Sequence, residues 1–208
     1  MSKAVQYLRR RCRVMRRLIG EHGSFILTPD RRRSPFEALV RAVAHQQLNG
    51  TAAESILRRF RALFPSGRFP RPQHILDVPE ETLRTVGFSR AKIAALRDIA
   101  EKTISGLVPN SRQIQRMSDD EIVERLTQIR GVGRWTAEML LIFKLGRADV
   151  FPVDDFGVRN GCRIAFELDV LPSPKQVLAL GEAWRPYRST ASWYLWRAVD
   201  GGRTGKKA

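Results

Sequence analysis

Cysteine is nearly missing from this chain: its 208 residues include two, Cys12 and Cys162, far apart. Such isolated thiols exclude a disulfide-stapled scaffold and cannot hold a four-cysteine iron–sulfur cluster. Histidine is scarce too. His22, His45 and His74 share no metal-ligand spacing, so each reads as a satisfied or solvated side chain. No apolar run nears the roughly 18 residues that a membrane span needs. The start reaches Arg9-Arg10-Arg11 with no apolar signal segment after it. A reducing, cytoplasmic setting is expected, with no membrane partner. Alternating strand patterns and hairpin dipeptides are almost lacking, which argues against a sheet-built fold.

Arginine is what the chain has in excess. Lys plus Arg number 37 against 21 Asp plus Glu, a net charge of +16, and 30 of the 37 cations are Arg. Hydrophobic residues at 43% with charged residues at 28% describe a globular composition rather than a disordered one. The charge favours a polyanionic partner, nucleic acid first and anionic membrane second, and the guanidinium plane forks onto phosphate as an ammonium cannot. The first 33 residues hold ten cations and two acids. That arm reads equally well as a solvated basic surface or as a phosphate contact.

Helical periodicity dominates the rest. The spacing predicts a basic helix over 3–20, with Val5, Leu8, Cys12, Met15 and Ile19 on its apolar side. Ser34-Pro35 opens another, as N-cap and first helical residue, and Asn49-Gly50 breaks it. Further helices are expected from Thr51, over 79–86, 89–105, 118–129 and 134–145, from Asp154 or Asp155, and over 174–184 and 187–199. Residues 65–73, rich in Pro and Gly, read as loop. About ten helices with short links make an all-α fold.

The most informative stretch runs from Leu126 to Ala137. One helix ends, Gly131 and Gly133 allow a tight turn, and a second helix begins at once. Glycines permit positive φ and close backbone approach. The first N–H groups of the second helix have no internal partners, and with the helix dipole they suit an anion. On the glycines alone, a phosphate site and an ordinary packing corner are equally good readings.

Gly131-Val132-Gly133-Arg134-Trp135-Thr136-Ala137, followed by Asp149-Val150-Phe151-Pro152-Val153-Asp154-Asp155, resembles the helix-hairpin-helix/Gly-Pro-Asp signature of the DNA glycosylase superfamily. The nearest branch is the alkylpurine, 3-methyladenine DNA glycosylase II-like one. Leu39 to Leu48 and Trp184 to Trp196 resemble further segments in the right order, so the likeness spans roughly 34–200. It implies a two-lobed helical bundle with a cleft between the lobes. Lobe one would hold roughly 1–50 plus 146–208, lobe two roughly 51–145, and 201–208 would be a disordered tail. It also implies a monomer acting on double-stranded DNA that contains alkylated bases.

The resemblance also assigns roles. By itself Asp155 reads as a helix cap, where free N–H groups favour an anion. Lying twenty residues after Trp135, it matches the family's catalytic acid, with Asp154 a structural neighbour. A carboxylate there stabilises the cationic sugar that forms as an N-glycosidic bond breaks. Relatives that also cut the strand place a nucleophilic Lys where this chain has Trp135. Water attack and an abasic product are therefore implied. Trp135 and Trp196 match pocket aromatics, and their indole planes suit a cationic base, with Met139 and Phe156 as further lining. Gly131, Val132, Gly133, Arg134 and Thr136 would meet the DNA backbone. Gln47 or Leu48 would fill the gap left by the flipped base. The carbonyls of Thr127, Ile129 and Val132 would be the ligands of a Na+ or K+ ion at the hairpin, with no other cofactor required. The alternative is a non-catalytic DNA-damage-binding or architectural protein on the same scaffold.

Overall fold

The computed structural model describes residues 2–48, 50–65 and 68–204, with side chains as far as Gly201. Among these residues the helices are α1 (Lys3–Arg11), α2 (Arg13–His22), α3 (Pro35–His45), α4 (Gly50–Ala62), α5 (Pro72–Asp77), α6 (Glu80–Thr85), α7 (Arg90–Ile104), α8 (Ser111–Arg116), α9 (Asp119–Leu126), α10 (Arg134–Met139), α11 (Phe156–Ala165), α12 (Pro174–Gly181) and α13 (Arg188–Thr204). A π-helical turn, Leu140–Leu145, prolongs α10, and a 3₁₀ turn, Glu182–Trp184, follows α12. The fold is all-α.

Short polar side chains set where these helices begin. Ser34 Oγ accepts from Glu37 N at 3.1 Å, and Pro35 fills the first helical position of α3. Ser118 and Glu121 close a reciprocal capping box at α9, as Asn110 and Gln113 do at α8. That second box, and Pro72 opening α5, create two helices where periodicity alone shows none, because six residues are too few for an apolar stripe.

The chain divides into two compact units, Met1–Pro29 with Leu141–Ala208, and Asp30–Leu140. In the first, α13 packs against α11 and α2. Its core joins Leu8, Met15, Val158, Cys162, Trp184, Tyr194 and Leu195, and the Tyr194 hydroxyl donates to Gly23 O at 2.9 Å. The single helix expected over 3–20 is two, broken where Cys12 is extended at φ −138° and ψ 122°. A straight helix of that length would span about 27 Å. The break lets Val5 and Leu8 from one half and Met15, Leu18 and Ile19 from the other enter one core. At the far end α13 continues to Thr204, where a frayed tail was expected from residue 201; residues 205–208 lie outside the described ones.

The second unit is organised on α7, which carries α3, α5 and α6. Phe60 sits edge-on to Phe64, Phe69 and Phe88. Residues 30–50 belong here, not with the chain ends as the sequence suggested, because α3 packs on α7 and α4. Asn49, the expected helix breaker, lies outside the described residues. Among those described, no helix is long and apolar enough to cross a membrane.

Candidate active site

Asp155 is the N-cap of α11, and its Oδ1 accepts from Val158 N at 2.7 Å. The same oxygen accepts from Trp196 Nε1, on α13, at 2.8 Å. Two donors from two helices thus fix the orientation of one half-buried carboxylate. Gly157 makes this geometry possible: a Cβ there would stand 2.7 Å from Trp196 Cδ1 and 3.0 Å from Asp155 Oδ1. The indole of Trp196 also stacks on Phe143, with ring centroids 5.6 Å apart and planes 22° apart. Phe156, beside the carboxylate, is 66% exposed, and Asp154 is exposed as well. Asp155, Trp196, Phe143 and Phe156 therefore form one polar-tipped aromatic surface within the first unit. Phe143 carries no motif of its own and escapes a reading by sequence.

The loop that delivers Asp155 is anchored at its other end to the start of α13. Arg188 Nε donates to Asp149 Oδ1 at 2.8 Å, and its Nη2 donates to Asp149 Oδ2 at 3.0 Å and to Asp149 O at 2.9 Å. Arg185 Nη1 adds a bond to Asp149 Oδ2 at 3.0 Å. Ser189 Oγ accepts from Val150 N at 2.9 Å and donates to Arg147 O at 2.7 Å. One helix thus grips both ends of the segment from Asp149 to Asp155. Asp149, Arg188 and Ser189 lie in motif segments, yet only the fold shows that they meet.

In the second unit the hairpin joins α9 to α10. Val132 N donates to Ile129 O at 3.0 Å, and Gly131 makes the turn at φ 76°, a left-handed conformation that favours glycine. Gly133 precedes α10 with no atom within 4 Å of where its Cβ would stand, so the backbone there is open to close approach. Arg134 is exposed, its Nε 3.1 Å from Glu138 Oε1. The side chains of Val132 and Thr136 are buried, which leaves their backbone as the part that could meet a phosphate.

One face of α7 holds the hairpin and the end of α3 together. Asp98 Oδ2 accepts from Arg130 N at 2.7 Å, and Lys102 Nζ donates to Gln128 O at 3.0 Å. Lys92 Nζ donates to Ala44 O and to Gln46 O, each at 2.8 Å, and burial pulls its ammonium below the ordinary lysine range. Gln46 Nε2 then donates to Gly131 O at 2.9 Å, which ties the α3 end directly to the hairpin. The next two residues turn outward. Gln47 is exposed at φ 57°, and Leu48 is 40% exposed.

Trp135 stands on the first turn after the hairpin and is 45% exposed, large for an indole, with half-buried Met139 one turn beyond on the same face. Trp184 is fully buried and Trp193 half-buried, the positions of core tryptophans. The carbonyls of Thr127, Ile129 and Val132 are hard oxygen donors of the kind that hold alkali cations. Ile129 O already accepts from Val132 N and keeps a second lone pair. This donor set fits Na+ or K+, and such an ion would add positive charge beside the turn.

The HhH-GPD superfamily base excision DNA repair protein family matches residues 40–186. DNA-3-methyladenine glycosylase 1 of Schizosaccharomyces pombe is 49% identical over 166 residues, 80% of this chain and 73% of that protein. The structure of S. pombe 3-methyladenine DNA glycosylase in complex with abasic DNA superimposes with a TM-score of 0.87 at 44% identity, covering 94% of this chain and 96% of that one. The DNA-3-methyladenine glycosidase of Bacillus halodurans gives 0.85 at 32% identity, covering 99% and 92%.

Proposed function

The chain belongs to the HhH-GPD superfamily of base excision DNA repair proteins, and we propose that it excises alkylated purines from double-stranded DNA by hydrolysis, with Asp155 as the catalytic carboxylate. The observation that carries this reading is the clamp on Asp155 Oδ1 by Val158 N and Trp196 Nε1. Such fixed donors hold the anion in place before any charge develops, which is where preorganised electrostatics lowers a barrier.

The chemistry follows from the substrate's charge. Alkylation at a purine ring nitrogen makes the base cationic, so breaking its bond to C1′ releases a neutral base and leaves the positive charge on the sugar. Asp155 stabilises that sugar cation. A water oxygen then bonds to C1′ and releases its proton to the surrounding water, and an abasic site remains. Trp135 stands where strand-cutting relatives place their amine. An indole cannot form a Schiff base, so the enzyme is monofunctional.

The remaining residues position the DNA. The backbone of Gly131, Val132 and Gly133 approaches phosphates, with the exposed Arg134 beside it. Alkali-cation ligation by Thr127, Ile129 and Val132 would add to that pull. Such contacts set register without reading sequence. Gln47 or Leu48 fills the space that the extruded nucleotide vacates. In the second unit Trp135 offers an indole plane to a cationic base, with Met139 as a further apolar contact, and in the first unit Trp196 offers another, with Phe156 beside it.

Incubation with duplex DNA methylated by an alkylating agent tests this reading. The expected result is free 3-methyladenine and 7-methylguanine on chromatography, with one abasic site per base released. Tight binding to the methylated duplex with no free base would establish the non-catalytic alternative instead.

A further inference from the structure

Asp155 and the hairpin leave most of the positive charge without a role. Lys3, Arg9, Arg10, Arg11, Arg13 and Arg16 of α1 and α2 are all exposed. Among the described residues none of the six has an acidic partner; Arg16 Nε instead donates to Arg9 O at 3.1 Å, and Arg11 lies over the Tyr7 ring. Arg17, by contrast, is neutralised by Glu167 at 2.7 Å and Glu21 at 3.9 Å. The bond from Arg16 to Arg9 O draws α1 and α2 together. Between them lies an open groove of about 350 Å³ lined by Gln6, Arg9, Arg10 and Arg16.

Fold stability accounts for only part of this charge. Arg9, Arg10 and Arg11 occupy the last turn of α1, where a cation gains from the helix dipole. Arg13 and Arg16 occupy the first turn of α2, which contains no acid, and there a cation opposes the dipole. Six uncompensated cations on two short helices also repel one another.

The patch is also turned away from the catalytic carboxylate. On α13, Trp196 reaches Asp155 while Tyr194 reaches Gly23 at the end of α2. Residues two apart on a helix point about 200° apart. The α1–α2 pair therefore packs on the side of α13 opposite to Asp155.

We propose that the arginine groove of α1 and α2 is a second DNA-backbone site, which holds an undamaged duplex segment while the catalytic face engages another. Its ligand is the phosphate backbone, bound without sequence preference. Its use is transfer between DNA segments during the search for damage. Guanidinium groups suit phosphate, and the chain's own substrate supplies the polyanion.

Capture of a second duplex tests this with the full chain. The protein is saturated with an immobilised, undamaged 25-base-pair duplex, and retention of a labelled, undamaged duplex is read out. Undamaged DNA keeps the outcome independent of base release. The wild type should hold the second duplex. With about four phosphates neutralised, the affinity for the second duplex should fall about 150-fold between 50 and 200 mM salt. Replacing Arg9, Arg10, Arg13 and Arg16 together by Gln should cut capture at least tenfold, while single-turnover base release from a short duplex stays within threefold. The double variant Arg10→Gln/Arg13→Gln leaves the Arg16-to-Arg9 bond in place and removes one charge that favours a helix dipole and one that opposes it. It should melt no lower than the wild type and still lose capture. A wild type that holds one duplex only, or variants that capture as well as it does, would overturn the proposal. Binding to phosphatidylserine vesicles in place of the second duplex would overturn it too, and would assign the groove to a membrane surface.

Discussion

Replacing Trp196 by Phe removes one hydrogen-bond donor and keeps an aromatic plane beside Phe143, so it separates the two tasks of this side chain. The lost bond is the 2.8 Å contact from Nε1 to Asp155 Oδ1. A hydrogen bond to a charged group contributes about 1.5–3 kcal/mol. Asp155 is half-buried, so water offsets part of the loss, and the lower end applies. About 1.5 kcal/mol corresponds to roughly a tenfold slower chemical step. Single-turnover release of 7-methylguanine under saturating enzyme reads that step alone. Duplex affinity, measured by fluorescence anisotropy, should change less than twofold. Gly157→Ala reaches the same bond by another route, because its new Cβ would crowd both Trp196 Cδ1 and Asp155 Oδ1. Since both changes break one contact, the double variant should be little slower than either single one. A Trp196→Phe enzyme of wild-type rate, or losses that multiply in the double variant, would refute the reasoning.

Borohydride should trap no covalent protein–DNA adduct, since Trp135 supplies no amine; a trapped adduct on denaturing gels would reveal another nucleophile. Gln46→Ala deletes the 2.9 Å bond to Gly131 O, worth about 1 kcal/mol, and should weaken binding to an abasic-site duplex about fivefold in anisotropy titrations. Gly131→Ala forces a Cβ onto a φ of 76° and to 3.0 Å from Ala95 Cβ. Its expected cost of about 1–2 kcal/mol should lower the melting temperature by roughly 3–6 °C in calorimetry. Burial pushes the Cys162 thiol up to about 12 from its ordinary 9.0. The unfolded chain then loses its proton first, so stability should fall as pH rises from 9 towards 12. Urea midpoints should show that fall, and Cys162→Ala should make it shallower, leaving the part due to Tyr194, whose hydroxyl is also pushed up by burial.

Local chemistry was legible wherever one residue decides an outcome. Ser34-Pro35, Ser118 with Glu121, and Asp155 each mark a helix start through a single side-chain oxygen, and all three caps are present. Gly131 declares its turn because few other residues tolerate the backbone it needs. What stayed hidden depends on partners distant in the chain. Nothing near Gln46 indicates that its amide reaches Gly131, 85 residues away, or that Lys92 ties off the end of α3. Asp149 sits in a recognisable motif, yet its grip by Arg188 and Arg185 exists only once α13 is in place. The break at Cys12 was hidden for a related reason. Val5, Leu8, Met15 and Ile19 keep helical spacing across it, so periodicity cannot separate one helix from two. The π-helical turn after Met139 was equally invisible, since its residues are apolar in either helix type.

Asp155→Asn tests the central claim most directly. Asn keeps an oxygen to accept from Val158 N and Trp196 Nε1, so the site's shape survives while its negative charge is lost. Removing a group that stabilises developing charge typically costs 10²–10³-fold or more. The measurement is single-turnover release of 3-methyladenine from methylated duplex, with affinity for the same duplex measured in parallel. Affinity should hold within about threefold while base release falls at least about 10²-fold. Release at the wild-type rate would show that this carboxylate is a helix cap and that the chemistry lies elsewhere.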